Sequence, residues 1–204
     1  MPAKFDMLVP ILRASMAEIG CLVGPSRYIT FESRLDIQSI GGKLLDNQTI
    51  VDIGLQLVDA CWNTYASTRY VKSSILSDWI FPQSHSKSTG IGPEQFAFVS
   101  ADGGYTGGDP ASISQTNFNA QHGFYITAPD YILRPEVLES NFYAWRVTGE
   151  TKYLDRAVLA ITSFEKYLKV QDGGYAGLND VDNTNSLRID DTESFWYAEV
   201  LKYL

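Results

Sequence analysis

The sequence predicts a mainly helical fold, and patterns in three parts of the chain support this prediction. Apolar residues recur at helical spacing over residues 50–65, and Asp46 or Asn47 is placed to cap the start of that helix. Another helix is predicted from Pro135 to about Val147, because proline suits the first helical position, and Gly149 is a natural left-handed cap. Further helical patterns follow up to the end of the chain.

Two helices are predicted in that last part. One extends from about Thr151 to Val170, and the other begins near Asp190 or Asp191, either of which can cap it. The pattern of the last helix is still helical at Leu204. The predicted apolar faces comprise Tyr153, Leu154, Ala157, Ile161, Phe164, Tyr167 and Leu168 in the first helix, and Phe195, Trp196, Val200 and Tyr203 in the second.

The segments between the helices are rich in turn-forming residues. Residues 101–130 contain many Gly, Pro, Asn and Asp residues and are predicted to be irregular, and residues 66–90 are predicted to form a long loop. The segment DGGYTG at 102–107 resembles DGGYAG at 172–177, which predicts similar turns between successive helices. Neither segment is a phosphate-binding loop, because no Gly-Lys-Ser/Thr follows it.

The composition excludes several functional classes. The 204 residues include 24 acidic and 16 basic side chains, for a net charge of −8, and 45% of them are hydrophobic. This balance indicates a globular protein and not a disordered one. We expect no nucleic-acid binding, because the chain has no run of Lys and Arg to contact phosphates. We also predict no transmembrane segment, because no apolar run approaches the roughly 18 residues required.

Cysteine and histidine are scarce, which limits metal and nucleophile chemistry. Cys21, Cys61, His85 and His122 are the only such residues, and their spacing does not suggest zinc. The two cysteines are able to form at most one disulfide, and the sequence does not decide whether they do. No GxSxG motif is present, which argues against a Ser/His hydrolase.

The N-terminal region shows no visible targeting signal. Residues 5–23 match a possible amphipathic helix, but the apolar run at 7–12 is short and is interrupted by Pro10. Asn47-Gln48-Thr49 is a glycosylation sequon, which hints weakly at the secretory pathway.

Acidic residues at helix starts are the main candidates for chemistry. Glu136 and Glu139 are three residues apart, so both carboxylates should lie on one helix face, as in acid–base sites. The alternative is that they only stabilise the helix dipole. The same two interpretations apply to Glu193 and Glu199. Arg134 is placed to neutralise Glu136 or Glu139, or to bind a polar ligand.

Aromatic residues are abundant, with 12 Tyr, 10 Phe and 4 Trp. Their faces suit the C–H patches of sugar rings, although most aromatic side chains belong to cores. Phe195 precedes Glu199 by four residues, so it is either a platform beside a carboxylate or a core residue.

Several segments together resemble a known family. YILRPEVLESNFYAWRVTGETKYLDRA at 131–157 closely resembles the RPE motif region of the class I α-1,2-mannosidases, glycoside hydrolase family 47. ESFWYAEVLKYL at 193–204 looks like the final-helix motif of that family, and GIGPE at 90–94 looks like its GxxPE motif. GGKLLDNQTIVDIGLQLVDACWNTY at 41–65 is similar to the helix between these motifs. The matches follow the family order over roughly residues 41–204.

The resemblance implies an all-α fold, here a partial (αα)7 barrel with short β-hairpins and long loops at the helix ends. Members of the family trim α-1,2-linked mannose from N-glycans with inversion and use a calcium ion. High-mannose N-glycans on glycoproteins are therefore the expected partners, and the secretory pathway (endoplasmic reticulum or Golgi lumen, or secretion) is the expected location.

The resemblance also assigns roles to individual residues. It implies that Glu136 is the catalytic base that activates water and that Glu94 is the proton donor. Arg134, Glu139, Phe195 and Glu199 match residues that line the mannose subsite. Glu136, Glu139 and Glu199 are expected near calcium mainly through water, with no direct ligand among them.

Some parts of the chain depart from the family pattern. Seven helix hairpins need on the order of 300 residues, so residues 1–204 are expected to be a single, incomplete catalytic domain. Residues 1–40 diverge, residues 66–90 look inserted, and the threonine that binds calcium directly is expected after Leu204. Two alternatives stay open: a mannose-glycan-binding protein without turnover, and a nonfunctional fragment.

Overall fold

The computed structural model describes residues 39–68, 88–100, 102–107 and 112–204. The predicted helix at 5–23 and most of the predicted loop at 66–90 lie outside these residues, as do Cys21 and His85.

The first helix is α1, Gln48–Ala66, and it confirms the helix predicted from the apolar spacing. Asn47 is the cap, because its side chain accepts a hydrogen bond from the Ile50 amide at 3.3 Å. One face of the helix is buried, including Val58, Trp62 and Tyr65. A short helical segment at residues 39–44 precedes it. Gly54 allows close approach there, because a Cβ atom would lie 3.0 Å from the Ser39 amide nitrogen.

The prediction that residues 101–130 are irregular is wrong. They contain a helix, α2, Ile113–His122, and a strand, β2, Tyr125–Ala128, which pairs antiparallel with β1, Gln95–Ala97. The helix has almost no buried side chains, so its sequence lacks apolar periodicity. It is specified by its ends, with a Ser112–Gln115 capping box at the start and a left-handed Gly123 at the end.

Helices α3, Glu136–Thr148, and α4, Lys152–Tyr167, form the predicted pair. Pro135 immediately precedes α3 as its cap residue, and Gly149 ends the helix in the left-handed conformation as predicted. Helix α4 ends before the predicted Val170, because Lys169 forms a β-bridge with Tyr175.

The apolar face predicted for α4 is only partly correct. Tyr153, Ala160 and Phe164 are buried, whereas the side chains of Leu154 and Ile161 are exposed. Leu168, the last residue of the predicted face, is fully buried, and so is Ala160, which lay outside the predicted face.

The last helical stretch contains a π-helical turn, Trp196–Val200, followed by α5, Leu201–Tyr203. The prediction that Asp190 or Asp191 caps this helix is wrong. The Asp191 carbonyl accepts a hydrogen bond from the Gly177 amide, so this segment is tied to the preceding loop. The helical residues instead begin at Ser194, and the Trp196 amide donates a hydrogen bond to the Glu193 carbonyl at 3.0 Å.

The two DGGY segments form matching turns, which confirms their predicted similarity. In the first turn, β-bridged residues Val99 and Tyr105 flank a hydrogen bond from the Ser100 amide to the Gly104 carbonyl, of 2.8 Å. In the second, Lys169 and Tyr175 flank the equivalent hydrogen bond from Val170 to Gly174, of 3.1 Å. Both turns use a glycine at positive φ, Gly103 and Gly173.

The main hydrophobic core lies between α1, α3, α4 and the last helical stretch. Tyr131 is central to it: its ring stacks on Phe164 at 5.7 Å and meets the Tyr65 ring edge-on at 6.4 Å. Phe164 in turn contacts Trp196 at 5.5 Å. The other buried members are Trp62, Ile91, Leu133, Leu138, Ala160, Leu168, Leu178, Val181, Val200 and Tyr203.

Candidate active site

The loop before β1 is fixed at both ends, and this places Glu94. At its start, the Gly90 amide donates to the Thr68 carbonyl at 2.6 Å. At its end, the Glu94 amide donates to the Asp130 carbonyl at 2.6 Å. Gly92 lies against the ring of Tyr65, where a Cβ atom would be only 2.4 Å from a ring carbon. A glycine at this position therefore lets the loop pack directly on α1.

Arg134 joins the two predicted catalytic carboxylates. Its Nε atom donates to Glu94 Oε1 at 2.5 Å, and its Nη1 atom donates to Glu136 Oε1 at 3.4 Å. Glu94 and Glu136 are far apart in the sequence and on different elements, yet they share one guanidinium. The structure thus brings three of the predicted site residues together.

Glu94 is more deeply buried than Glu136. Its side chain is 9% exposed, and its Oε2 atom has no hydrogen-bond partner among the described residues. Burial raises the pKa of Glu94 above its ordinary value, although the Arg134 guanidinium acts in the opposite direction. The free oxygen atom and the raised pKa together favour a carboxyl group that is able to hold and donate a proton.

Glu136 and Glu139 occupy the first turn of α3, where the helix dipole favours negative charge. The side chain of Glu136 is 21% exposed, so solvent reaches it more readily than it reaches Glu94. Glu139 faces a different partner, because the hydroxyl of Tyr203 donates to its Oε1 atom at 2.5 Å. Burial and the nearby Glu139 raise the pKa of Tyr203, so this hydroxyl keeps its proton and stays a donor.

Tyr203 is a residue that the sequence prediction placed only in the apolar face of the last helix. Its ring packs against those of Phe142 and Tyr143, with centroids 5.6 and 6.0 Å away. These contacts fix the last helix against α3 and aim the hydroxyl at Glu139. No local sequence signal marks such a pairing, because the two residues are 64 positions apart.

Phe195 and Glu199 form no hydrogen bond or ion pair with Glu94, Arg134 or Glu136 among the described residues. Phe195 is half-buried against the main core. Glu199 is half-buried within the π-helical turn. π-Helical turns are frequent at functional sites, but the subsite roles of both residues stay predictions.

The described ranges contain no group of three or more His, Cys, Asp or Glu residues placed to hold a metal ion. The carboxylates at the start of α3 instead face Arg134 and Tyr203. None of the helices within those ranges combines the length and the apolar character needed to cross a membrane.

Comparison with known proteins gives a consistent result. The family model of glycosyl hydrolase family 47 matches residues 76–204. Mannosyl-oligosaccharide alpha-1,2-mannosidase 1B of Emericella nidulans is 43% identical over 167 residues, which are 80% of this chain and 27% of that protein. The probable mannosyl-oligosaccharide alpha-1,2-mannosidase 1B of Neosartorya fischeri is 40% identical over 167 residues, with 80% and 28% coverage. The chain therefore spans little more than a quarter of the length of these relatives.

A solved structure supports the same conclusion. The alpha-1,2-mannosidase from Trichoderma reesei matches with a TM-score of 0.68 and 37% identity, over 85% of this chain and 31% of that chain. This likeness confirms the predicted fold class, a helical fold that forms part of an α/α toroid. The segments at 90–94, 131–157 and 193–204 lie within residues 76–204, whereas the segment at 41–65 precedes them. This chain belongs to glycosyl hydrolase family 47.

Proposed function

We propose that this chain is part of the catalytic domain of an α-1,2-mannosidase that removes α-1,2-linked mannose from high-mannose N-glycans with inversion. The observation that carries the proposal is the pairing of Glu94 and Glu136 on the single guanidinium of Arg134. The names of the relatives, mannosyl-oligosaccharide alpha-1,2-mannosidases, support the substrate class.

The two carboxyl groups suit the two halves of an inverting hydrolysis. Glu136, the more exposed group, accepts a proton from water while the water oxygen bonds to the anomeric carbon. The glycosidic C–O bond breaks, and the leaving oxygen takes a proton from Glu94, whose burial favours its protonated form. Such reactions need carboxyl groups roughly 6.5–9.5 Å apart with water between one of them and the sugar.

The remaining predicted residues complete a sugar subsite in this proposal. Arg134 offers rigid N–H donors to mannose hydroxyls, and Glu139 and Glu199 offer acceptors. Phe195 supplies an apolar ring face. Tyr203 contributes by holding the Glu139 carboxylate in one orientation.

Calcium belongs to the proposal only in a water-mediated role. The described residues include no group of three or more His, Cys, Asp or Glu side chains placed to hold a metal ion directly. Glu136, Glu139 and Glu199 are hard oxygen donors of the kind calcium prefers, and they would contact the ion through water. When bound, calcium would help to orient sugar hydroxyls.

The domain and location assignments are also proposals. We propose that residues 1–204 form one incomplete catalytic domain, in which 1–40 diverge and 66–90 are inserted. We propose a location in the secretory pathway. The sequon supports this, because Asn47 is exposed at the start of α1, where its side-chain oxygen caps the helix and its amide nitrogen is left for a glycan.

The test is an assay of the purified chain with α-1,2-linked mannobiose and a high-mannose N-glycan, with and without calcium. We expect release of free mannose, with proton NMR showing the inverted anomer first. Glu136→Gln and Glu94→Gln should each remove activity. Glu150→Gln should not, because Glu150 is exposed and lies just beyond the end of α3.

The outcomes separate the alternatives. Retention on mannose-agarose without release of mannose would favour a glycan-binding protein. Neither binding nor turnover by a cooperatively folded chain would contradict both functions. If calcium and EDTA give the same rates and affinities, the calcium part of the proposal is wrong.

A further inference from the structure

The backbone between β2 and α3 contains a residue in an unfavourable conformation. Leu133 has φ = 69°, in the left-handed region that side chains with a Cβ atom rarely adopt. Its side chain is fully buried in the main core, so the conformation is not a feature of a loose surface turn. Strained residues of this kind persist only where surrounding contacts hold them, and they cluster at functional sites.

The strained residue lies directly before the residue that joins the two carboxylates. Arg134 directly follows Leu133, and its guanidinium points at Glu94. Pro135 then starts α3, which places Glu136 two residues from Arg134. A different φ at Leu133 would therefore redirect both Arg134 and the start of α3.

Tyr131 stabilises the segment that contains Leu133. Its hydroxyl donates to the backbone carbonyl of Arg134 at 3.0 Å. This hydrogen bond joins the two ends of the segment 131–134, which contains Leu133. Its own backbone is fixed by two hydrogen bonds with Leu178, of 2.8 and 2.9 Å. The residue before it, Asp130, accepts the hydrogen bond from the Glu94 amide. One short segment thus fixes the backbones of both Arg134 and Glu94.

The Tyr131 ring is held as firmly as its backbone. The residue is 2% exposed, its ring stacks on Phe164, and Tyr65 meets it edge-on. The same Tyr65 ring packs against Gly92 in the loop that carries Glu94. The ring is therefore held in an orientation in which its hydroxyl reaches the Arg134 carbonyl.

We infer that Tyr131 is a positioning residue. It stabilises the left-handed conformation of Leu133 and thereby places the Arg134 guanidinium between Glu94 and Glu136. This inference deepens the proposed function, because the residues it positions are those proposed to carry catalysis. Tyr131 itself is not assigned a contact with the sugar or with the reacting atoms.

The first test removes only the hydroxyl, in Tyr131→Phe. Its matched control is Tyr125→Phe, since Tyr125 is equally buried but its hydroxyl has no hydrogen-bond partner among the described residues. The readout is the titration of the Glu94 carboxyl carbon by NMR. The charged groups that act on Glu94 are Arg134, Asp130 and Glu136.

We expect Tyr131→Phe to raise the pKa of Glu94 further, because a displaced Arg134 no longer favours the carboxylate. Arg134→Gln gives the upper limit of this change, and Tyr125→Phe should leave the titration as it is. A folded Tyr131→Phe protein with an unchanged Glu94 titration would overturn the inference. This readout needs no turnover, so it is independent of whether the chain proves to be a mannosidase.

The second test addresses the strain itself and does not depend on the first. Leu133→Gly and Leu133→Ala lose the same buried contacts, apart from one methyl group, but only glycine adopts φ = 69° freely. We expect the glycine variant to have the higher melting temperature, contrary to the usual order of these two residues. A more stable alanine variant would show that no strain is held at Leu133.

If the chain turns over mannobiose, a third readout follows. Tyr131→Phe should lower kcat more than it raises KM, because the relative placement of donor and base matters most in the transition state. Equal activity of Tyr131→Phe and Tyr125→Phe would contradict the positioning role.

Discussion

Two regions of the molecule stabilise carboxyl groups in different ways. One is the loop that carries Glu94, and the other is the first turn of α3, which carries Glu136 and Glu139. The loop buries its carboxylate, and within the described part of the chain Arg134 is the cation that pairs with it. The helix keeps its carboxylates half-buried and supports them with its dipole, Arg134 and Tyr203. Residues of one chemical type are therefore given different solvation, which is how two carboxyl groups acquire different tasks.

The largest effect is expected from Arg134→Met, which removes the cation shared by both regions. Glu94 would be left buried without its partner, so we expect the free energy of unfolding to fall by about 3 kcal/mol. Urea unfolding at neutral pH measures this loss. Lys169→Met, which breaks an exposed ion pair with Glu165, is the control and should change stability little. Equal losses in the two variants would mean that burial does not distinguish the loop.

A smaller effect is expected from Tyr203→Phe, which acts only on the helical side. The variant loses a hydrogen bond to a charged group, so we expect the free energy of unfolding to fall by about 1.5 kcal/mol. Tyr197→Phe is the control, because Tyr197 lies on the same helical stretch and is 61% exposed. The Glu94 titration should be the same in both variants, and a change in it would show that the two regions are coupled through α3.

The far end of α3 provides a further prediction. Gly149 has φ = 74°, and an added Cβ atom would meet no other atom there. Gly149→Ala should therefore lower the free energy of unfolding by about 1 kcal/mol through backbone strain alone. The change lies a whole helix away from Glu136, so mannose binding should be unaffected. Unchanged stability in thermal melts would show that the left-handed cap is dispensable.

The smallest expected effect is a dependence of stability on pH that comes from Glu94. Its pKa is raised in the folded protein, so between the ordinary value of 4.5 and the folded value the native state binds more protons than the unfolded state. The stabilisation that comes from Glu94 is then fully present below pH 4.5. It is lost as the pH rises through the pKa that Glu94 has in the folded protein.

Glu94→Gln should remove this slope, because an amide does not titrate. Melting temperatures of the wild-type and Glu94→Gln proteins between pH 4 and pH 8 measure the difference, with Glu150→Gln as the exposed control. A slope that persists in Glu94→Gln would assign it to another group.

Much of the helical framework was predictable because local signals agree with tertiary packing. The periodicity of α1 marks its buried face. Asn47 caps the start of α1 and Gly149 caps the end of α3, as their chemistry requires. Helix α2 escaped prediction because it has no regular apolar pattern: Phe118 packs on Phe124 and Ile113 is exposed, so the clearest local signals are its caps. Asp190 and Asp191 were plausible caps, but hydrogen bonds to the preceding loop hold that segment outside the helix.

The site was predictable only in part, and for a similar reason. Arg134 and Glu136 are two positions apart in one short motif, so their sequence pattern and resemblance identify them together. The pairing of Tyr203 with Glu139, and that of Glu94 with Arg134, join residues 64 and 40 positions apart. Nothing in local spacing encodes such contacts, because they depend on how the elements pack.

The sequence by itself therefore determined most of the helices, the acidic residues at the start of α3, and the family that the motifs resemble. The tertiary structure decided which of those acids is buried, which shares a guanidinium, and which accepts a hydrogen bond from a tyrosine. The physical reason is that propensity and capping act over a few neighbouring residues. Desolvation and ion pairing instead depend on atoms brought together from distant parts of the chain.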